Sequence, residues 1–489
     1  MNLHPILKRV GEIADAGGRE VYVVGGYVRD LLLGRPSPDI DFVTVGSGID
    51  LAREVAAGLG HPDRVTVYPT YGTAQVRHKD LELEFVGARK ESYNRDSRNP
   101  IVEEGTLDDD QRRRDFTVNA MAICLNAERF GELVDPFDGQ ADLRAGVIRT
   151  PLDPDITFSD DPLRMMRGIR FAAQLGFRID QPTFEAIKRN RERIRIITRE
   201  RINDELGKII RSPRPGTGFR ILDMAGLLEI IFPQLCALKG VETKEGRGHK
   251  DNFQHTLQVL DNVAAKSDNE WLRWAALLHD IAKPVTKRYD PQLGWTFHHH
   301  NFIGEKMIPR LFRELKMPLN EKMKYVAKLV GLHMRPQSVG EEGVSDSGVR
   351  RLITDAGDDL DDVMTLAEAD ITSKNPQKVA RQLEGFEKLR HRMAEIADAD
   401  ALRNWKHPLN GNDIRARYSL PEGPEGGKEI QRLKDAVKEA IIEGSVPYTA
   451  EGAWEFLDSM TGFKGDAPKT TENSEVKSEE SEAQCGNNA

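Results

Sequence analysis

The sequence predicts an α+β chain in which a small N-terminal sheet domain is followed by an all-helical body. Two short runs predict the sheet: Val21-Tyr22-Val23-Val24, apolar throughout and stopped by Gly25-Gly26, and Ile40 to Val45, headed by a pair of aspartates. The change to helices shows in the spacing after Asp160. There Met165, Met166, Ile169, Ala172 and Ala173 form an apolar arc at helical period, with charged residues on the other side.

Beyond the first strand, Tyr27 to Leu33 reads as an amphipathic helix closed by Gly34. The glycines before it let backbone N–H groups approach a phosphate, with Arg29 projecting from the helix start; a plain strand-to-helix turn uses the same residues. Asp39 and Asp41, at i and i+2 on a strand, point to one face. Carboxylates so placed repel one another unless a cation lies between them. Mg2+ shared between carboxylates and substrate phosphates is the usual device of phosphoryl transfer, and a solvated strand edge is the alternative. In Leu81-Glu82-Leu83-Glu84-Phe85 the glutamates alternate with apolar residues, so Glu84 is either a third carboxylate or part of a solvated face. Glu91 to Asp110, rich in Asp, Asn, Arg and Ser, reads as a mobile loop.

On a helix, Asp161, Arg164, Arg167 and Arg170 fall at successive i, i+3 steps and make one winding stripe opposite the apolar arc. Pro162 fits a first helical turn, capped by Asp160 or Asp161. A carboxylate only accepts and a guanidinium only donates, so Asp161 beside Arg164 suits a base edge with an amino donor next to a ring-nitrogen acceptor. Cytosine and adenine have that edge; uracil and guanine present the reverse. Ordinary surface ion pairs are the competing reading of the stripe.

Taken in order, these pieces resemble the tRNA nucleotidyltransferase and poly(A) polymerase family, the class II branch of the polymerase-beta-like nucleotidyltransferases. The text that carries the resemblance is Val24-Gly25-Gly26-Tyr27-Val28-Arg29-Asp30-Leu31-Leu32-Leu33-Gly34, Asp39-Ile40-Asp41, Arg113-Arg114-Asp115-Phe116-Thr117-Val118-Asn119-Ala120, Asp135-Pro136-Phe137-Asp138-Gly139, and Asp161 to Phe171. The resemblance implies that Asp39 and Asp41 hold catalytic Mg2+ and that Gly25, Gly26 and Arg29 contact the triphosphate. It places Arg114 and Asp115 at the ribose and phosphates, assigns base reading to Asp161 and Arg164, and lets Arg167 and Arg170 complete the nucleotide pocket. Family members usually have Glu-Asp where this chain has Asp160-Asp161. The implied reaction is attack of a tRNA 3′-hydroxyl on the α-phosphate of CTP or ATP, with pyrophosphate leaving. In CCA-adding relatives a flexible loop at the place of Glu91 to Asp110 helps switch the pocket from C to A, and CC-only enzymes tend to lack it.

The net charge of −9 is unlike an RNA-binding protein until it is localised. Between Asp160 and Arg220 fifteen Lys or Arg face eight Asp or Glu, and a basic face is what phosphate contacts need. Its richest part, Lys188 to Arg201, is helical in pattern and ends in Glu200-Arg201-Ile202-Asn203-Asp204-Glu205, similar to the family's neck motif. With few aromatics interleaved, contacts to the shape and backbone of a tRNA acceptor arm fit better than base stacking.

After a linker from Lys244 to Asp251, most of the twelve histidines gather in one region. Trp271 to Ile281 reads as an apolar helix carrying His279-Asp280 at its end. That region resembles the HD metal-dependent phosphohydrolases. The resemblance implies a second divalent transition metal on His255, His279, Asp280, His300 and Asp370, with His333 as an extra ligand; His300 is preferred to His298 and His299 because it stands four residues before Gly304. The expected domains are a head (1–152), a helical neck (153–238), an HD domain (245–385), a helical C-terminal region (386–464) and a disordered tail (465–489), the last rich in Glu, Ser, Thr and Asn. No long apolar run or signal-type N-terminus is present, so no membrane partner is expected. Cys124, Cys236 and Cys485 lack metal-ligand spacing, as in a protein of the reducing cytoplasm. The leading functional reading is CCA addition. A poly(A) polymerase shares every head motif, but such relatives usually have a basic tail and no HD domain. A phosphohydrolase with a relict head would be free to lose the clustered charges that this head retains.

Overall fold

The computed structural model describes residues 3–92, 101–244, 247–248, 251–341, 345–373, 375–396 and 402–463. The expected tail with Cys485, and the centre of the Glu91 to Asp110 loop, lie outside them.

The head is built on a seven-stranded sheet. Its strands are β1 (Val21–Val24), β2 (Asp39–Thr44), β3 (Val65–Tyr68), β4 (Thr73–His78), β5 (Leu81–Gly87), β8 (Ala122–Cys124) and β9 (Leu133–Val134), in spatial order β3-β4-β5-β2-β1-β8-β9. β1, completely buried, is the antiparallel neighbour of both β2 and β8, which explains why its residues are apolar without alternation. β2 runs parallel to β5 with Asp39 opposite Glu82 and Asp41 opposite Glu84. Helices α1 (Pro5–Ala16), α2 (Gly26–Leu32) and α3 (Gly48–Gly58) cover the sheet. Close approach needs glycine at two points: a β-carbon on Gly11 would stand 2.0 Å from Leu125 O, and one on Gly48 2.7 Å from Gly87 N.

The stretch read as a mobile loop is ordered at both ends. β6 (Arg89–Ser92) pairs antiparallel with β7 (Ile101–Glu104), and α4 (Leu107–Arg112) follows. Its start is fixed by a capping box between Thr106 and Asp109, a signal that the polar composition concealed.

Helix α5 (Leu163–Leu175) buries Met165, Met166, Ile169, Ala172 and Ala173, as the periodicity requires. Asp161 is not in it. The residue is extended, at φ −133° and ψ 101°, and its Oδ1 accepts from the Leu163 N–H at 3.1 Å, so the stripe begins one turn late. Lys188 to Arg201 is likewise not one helix: a helix over Gln181–Asn190 and a 3-10 turn over Arg191–Ile196 precede α6 (Arg199–Ile210). The break lets both Ile194 and Ile197 turn inward, where they are buried.

Two strands, Thr243–Lys244 and Arg247–Gly248, pair within the expected linker. The helices that follow are α7 (Asn252–Ala264), α8 (Glu270–Leu278), α9 (His300–Glu314), α10 (Glu321–Leu332), α11 (Arg335–Glu341), α12 (Leu360–Ala369) and α13 (Pro376–Glu395). Arg273 ties α8 to the end of α6: its buried guanidinium donates to the Ile210 and Ser212 carbonyls, both at 3.1 Å. Compact packing divides the chain into one unit of Met1–Val344 with Ala356–His391 and another of Ser345–Asp355 with Arg392–Ala489. A boundary at 385/386 therefore falls inside α13. The second unit has its own core around Ile414, Val437 and Leu457, and Asp458 accepts from Arg417 at 2.6 Å and from the Tyr418 hydroxyl at 2.8 Å. Among the described residues no helix is long and apolar enough to cross a membrane.

Candidate active site and metal centre

A cavity of about 680 Å³ opens between the head sheet and α5. It brings together Gly25, Gly26, Arg29, Asp39, Asp41, Arg114, Asp115, Asp161, Arg164, Arg167 and Arg170, every residue expected at the nucleotidyl-transfer site. Gly25 has φ +73°, and a β-carbon there would meet Arg114 Nη1 at 3.0 Å and Asp41 Oδ2 at 3.4 Å. No other residue type fits that turn without moving the groups it separates.

Asp41 is pushed up from the ordinary carboxylate value by burial, with the Asp39 and Asp110 charges acting in the same direction and Arg114 opposing them. Glu84, beside Asp41 in the neighbouring strand, is raised by burial and by the Asp41 and Asp39 charges. Asp39, Asp41 and Glu84 stand on one face of the paired strands β2 and β5, with Asp41 directly opposite Glu84, and carboxylate oxygens are the donors that Mg2+ takes. Burial acts against the Asp115 carboxylate too, yet Arg167 and Asn119 hold it below its usual value. Its Oδ2 accepts from Arg167 Nε at 2.7 Å and its Oδ1 from the Phe116 N–H at 2.9 Å and from Asn119 Nδ2 at 3.2 Å. Asp115, which lines the cavity, also fixes Arg167. Arg114 is fixed in the same way by the buried Asp110, at 2.9 Å.

Sequence reasoning missed several contributors. Phe171 forms a floor with Arg170 at 4.2 Å, Arg29 at 5.2 Å and Arg167 at 5.6 Å from its ring centre. Arg29 also donates to Asn119 Oδ1 at 2.8 Å. Helix α6 sends Arg201 into the cavity and, one turn on, Glu205 to the buried Arg170 at 3.4 Å. The i, i+4 spacing of Arg201 and Glu205 was visible; their direction was not, because it depends on the break before α6.

The second cluster lies where α7, α8, α9 and α10 converge. Histidine Nε2 atoms and carboxylates form two groups with ligand atoms within 4.8 Å of one another: His255, His279 and Asp370, and Asp280, His300 and His333. His255 Nε2 is 2.8 Å from Asp370 Oδ1, and Asp280 bridges the groups, 3.3 Å from both His279 and His300. The Nδ1 atoms of His279, His300 and His333 lie 2.7–2.8 Å from the carbonyls of Ala276, Phe297 and Val330. A carbonyl only accepts, so each Nδ1 carries a proton and each ring directs its Nε2 inward. The Nε2 atoms of His300 and His333 face one another at 3.3 Å, an approach that a shared proton or a cation accommodates. Burial, with the neighbouring His279, pushes His333 down to about 3, so it stays neutral at pH 7. His279 Nε2 and Asp280 Oδ1 are buried without a hydrogen bond. The donor set and these orphaned atoms fit divalent transition metals. His298 and His299 are exposed outside the cluster.

Residues 21–149 match the Poly A polymerase head domain, residues 176–239 the probable RNA- and SrmB-binding site of polymerase A, and residues 252–375 the HD domain. The A-adding tRNA nucleotidyltransferase of Deinococcus radiodurans is 30% identical over 441 residues, covering 88% of this chain and 93% of the relative. The chain belongs to the tRNA nucleotidyltransferase family. The CC-adding tRNA nucleotidyltransferase of Thermus thermophilus is also 30% identical, over 87% of this chain and 91% of its own. The Multifunctional CCA protein of Hahella chejuensis is 34% identical over 61% of this chain and 68% of its own. Among solved structures, a tRNA nucleotidyltransferase complexed with a primer tRNA and an incoming ATP analog superposes with a TM-score of 0.55 at 26% identity, over 78% of this chain and 98% of that one. This nucleotidyltransferase thus shares its architecture with relatives of three product specificities.

Proposed function

We propose that this tRNA nucleotidyltransferase adds CMP and then AMP, from CTP and ATP, to the 3′ end of tRNA, without a nucleic-acid template and with release of pyrophosphate. The observation that carries this reading is the single cavity in which Asp161 and Arg164 stand with Asp39 and Asp41. One carboxylate and one guanidinium provide the acceptor and donor that cytosine and adenine share, so one pocket serves both nucleotides. Arg29, Arg114, Arg167 and Arg170 supply the positive charge that a triphosphate needs, each held by protein partners before the ligand arrives.

Asp39 and Asp41 would hold Mg2+, with Glu84 as a third carboxylate. When bound, the metal lowers the pKa of the attacking hydroxyl and stabilises the leaving oxygen. Gly25 leaves room for phosphate, and Phe171 with its guanidiniums forms the floor on the neck side. Replacement Asp161→Ala tests the base assignment: CTP and ATP lose about ten- to hundredfold in kcat/KM relative to UTP and GTP. Unchanged discrimination in that variant would move base reading elsewhere. The convergence of histidine nitrogens and carboxylates favours a second reading for the HD domain, a metal-dependent phosphohydrolase centre on His255, His279, Asp280, His300, His333 and Asp370.

A further inference from the structure

Three aromatic side chains line the nucleotide cavity, and they differ in the surface they leave open. Tyr27 is buried, and three guanidiniums already stand within 5.6 Å of the Phe171 ring centre. Tyr71, by contrast, is 71% exposed. It ends a 3-10 turn, Pro69–Tyr71, at the tip of the hairpin between β3 and β4, whose last paired residues are Tyr68 and Thr73. Pro69 sets the first backbone angle of that turn, and Gly72, at φ +64°, closes it by donating its N–H to the Pro69 carbonyl at 3.2 Å. Arg89 Nη1 donates to the Tyr71 carbonyl at 3.5 Å and ties the tip to the end of β5. A ring held in this way exposes apolar surface that a flat ligand would cover.

The order of the sheet decides which ligand that is. From β1 outward the strands run β2, β5, β4. Gly25 and Gly26, assigned to the triphosphate, follow β1; Asp39 and Asp41 begin β2; Glu84 stands opposite Asp41 on β5; Tyr71 precedes β4. Nucleotidyl transfer forms a bond from the primer 3′-oxygen to the α-phosphorus and breaks the bond from that phosphorus to the pyrophosphate oxygen. The two oxygens stand in line on opposite sides of the phosphorus. Pyrophosphate leaves on the Gly25 side, so the hydroxyl arrives from the side of β5 and β4. The incoming base belongs to Asp161 and Arg164, near α5, which leaves the Tyr71 ring to the other nucleotide of the reaction. We propose that Tyr71 stacks on the terminal base of the tRNA primer and holds its 3′-hydroxyl on the attacking side of the α-phosphate, as a positioning residue for the acceptor. Every base has a π-face, so one ring serves primers that end in different nucleotides. The proposal rests on the reading of Asp39 and Asp41 as the metal site.

The test uses the full chain with Mg2+, CTP and ATP, and a tRNA transcript that lacks its 3′ CCA or ends in CC, whichever the parent extends. In Tyr71→Ala, kcat/KM for the primer falls about ten- to hundredfold while KM for the nucleotide is unchanged. Tyr71→Phe and Tyr71→Trp restore the rate and Tyr71→Leu does not. A primer whose 3′-terminal nucleotide lacks its base loses a similar factor with the parent and nothing more with Tyr71→Ala, because the contact is already gone. An intact primer extended normally by Tyr71→Ala, rescue by Leu as good as by Phe, or a full further loss on the abasic primer overturns the stacking role. Asp41→Ala is the separate control: nucleotide addition that persists in it overturns the metal reading, and the direction of attack argued from it, whatever the Tyr71 variants do.

Discussion

Glu205 lies outside the nucleotide cavity and governs a residue inside it. Its carboxylate is almost wholly buried, faces Arg170 at 3.4 Å and accepts from Lys208 at 3.2 Å. Replacing it with Leu would strand the Arg170 guanidinium, at a cost of about 3–5 kcal/mol measured by urea unfolding; a variant as stable as the parent would show that Arg170 relaxes to solvent. Arg201, one turn earlier, belongs to the ligand side. Arg201→Ala should leave stability unchanged and raise KM for CTP and ATP about tenfold, whereas an unchanged KM would assign it to the wall only. Residue types were the most legible level of this sequence: each side chain expected at the nucleotide site lines one cavity. What they bond to was less legible. Asp115 lines the cavity and also anchors Arg167, because a buried carboxylate must find donors within the protein.

Helix α5 carries the guanidiniums, and the distance at which it sits is set by a glycine. A β-carbon on Gly168 would stand 2.8 Å from Phe116 Cζ, in the segment that also holds Arg114 and Asp115. Gly168→Ala should push α5 outward and slow single-turnover addition roughly ten- to hundredfold with a modest fall in stability. A normal rate in that variant would mean that the spacing of α5 and the head is not limiting. Periodicity located α5 and its buried face correctly, since burial repeats with the helix. The expected capping by Asp161 is found, but the residue is extended and so stands outside the helical stripe; Lys188 to Arg201 were joined into one helix because charged residues mask the inward turns of Ile194 and Ile197. The hairpin arms flanking the 93–100 segment were hidden by polar composition for the same reason.

At the scale of the whole molecule, two clusters of different donor chemistry sit on one chain: carboxylates in the head, and imidazoles with carboxylates in the HD domain. Elemental analysis of the purified protein should find about two transition-metal ions per chain at pH 8, lost in Asp280→Ala while nucleotide addition with Mg2+ persists. Protons compete with metal for imidazole, so occupancy falls as the pH is lowered, and His333, held down to about 3, keeps its lone pair longest. Occupancy independent of pH, or retained in Asp280→Ala, would remove the histidines from the site. The clustered histidines and aspartates were legible as residue types; their division into two groups bridged by Asp280 was not, since it depends on where the helices converge. The central claim concerns the head, and sequencing the product ends tests it most directly. With Mg2+ and a tRNA transcript lacking its 3′ CCA, given CTP and ATP singly and together, the account predicts CC from CTP alone and CCA from the mixture. Ends that stop at CC in the mixture, that gain A only on a CC-ended primer, or that grow into open A tracts would contradict it.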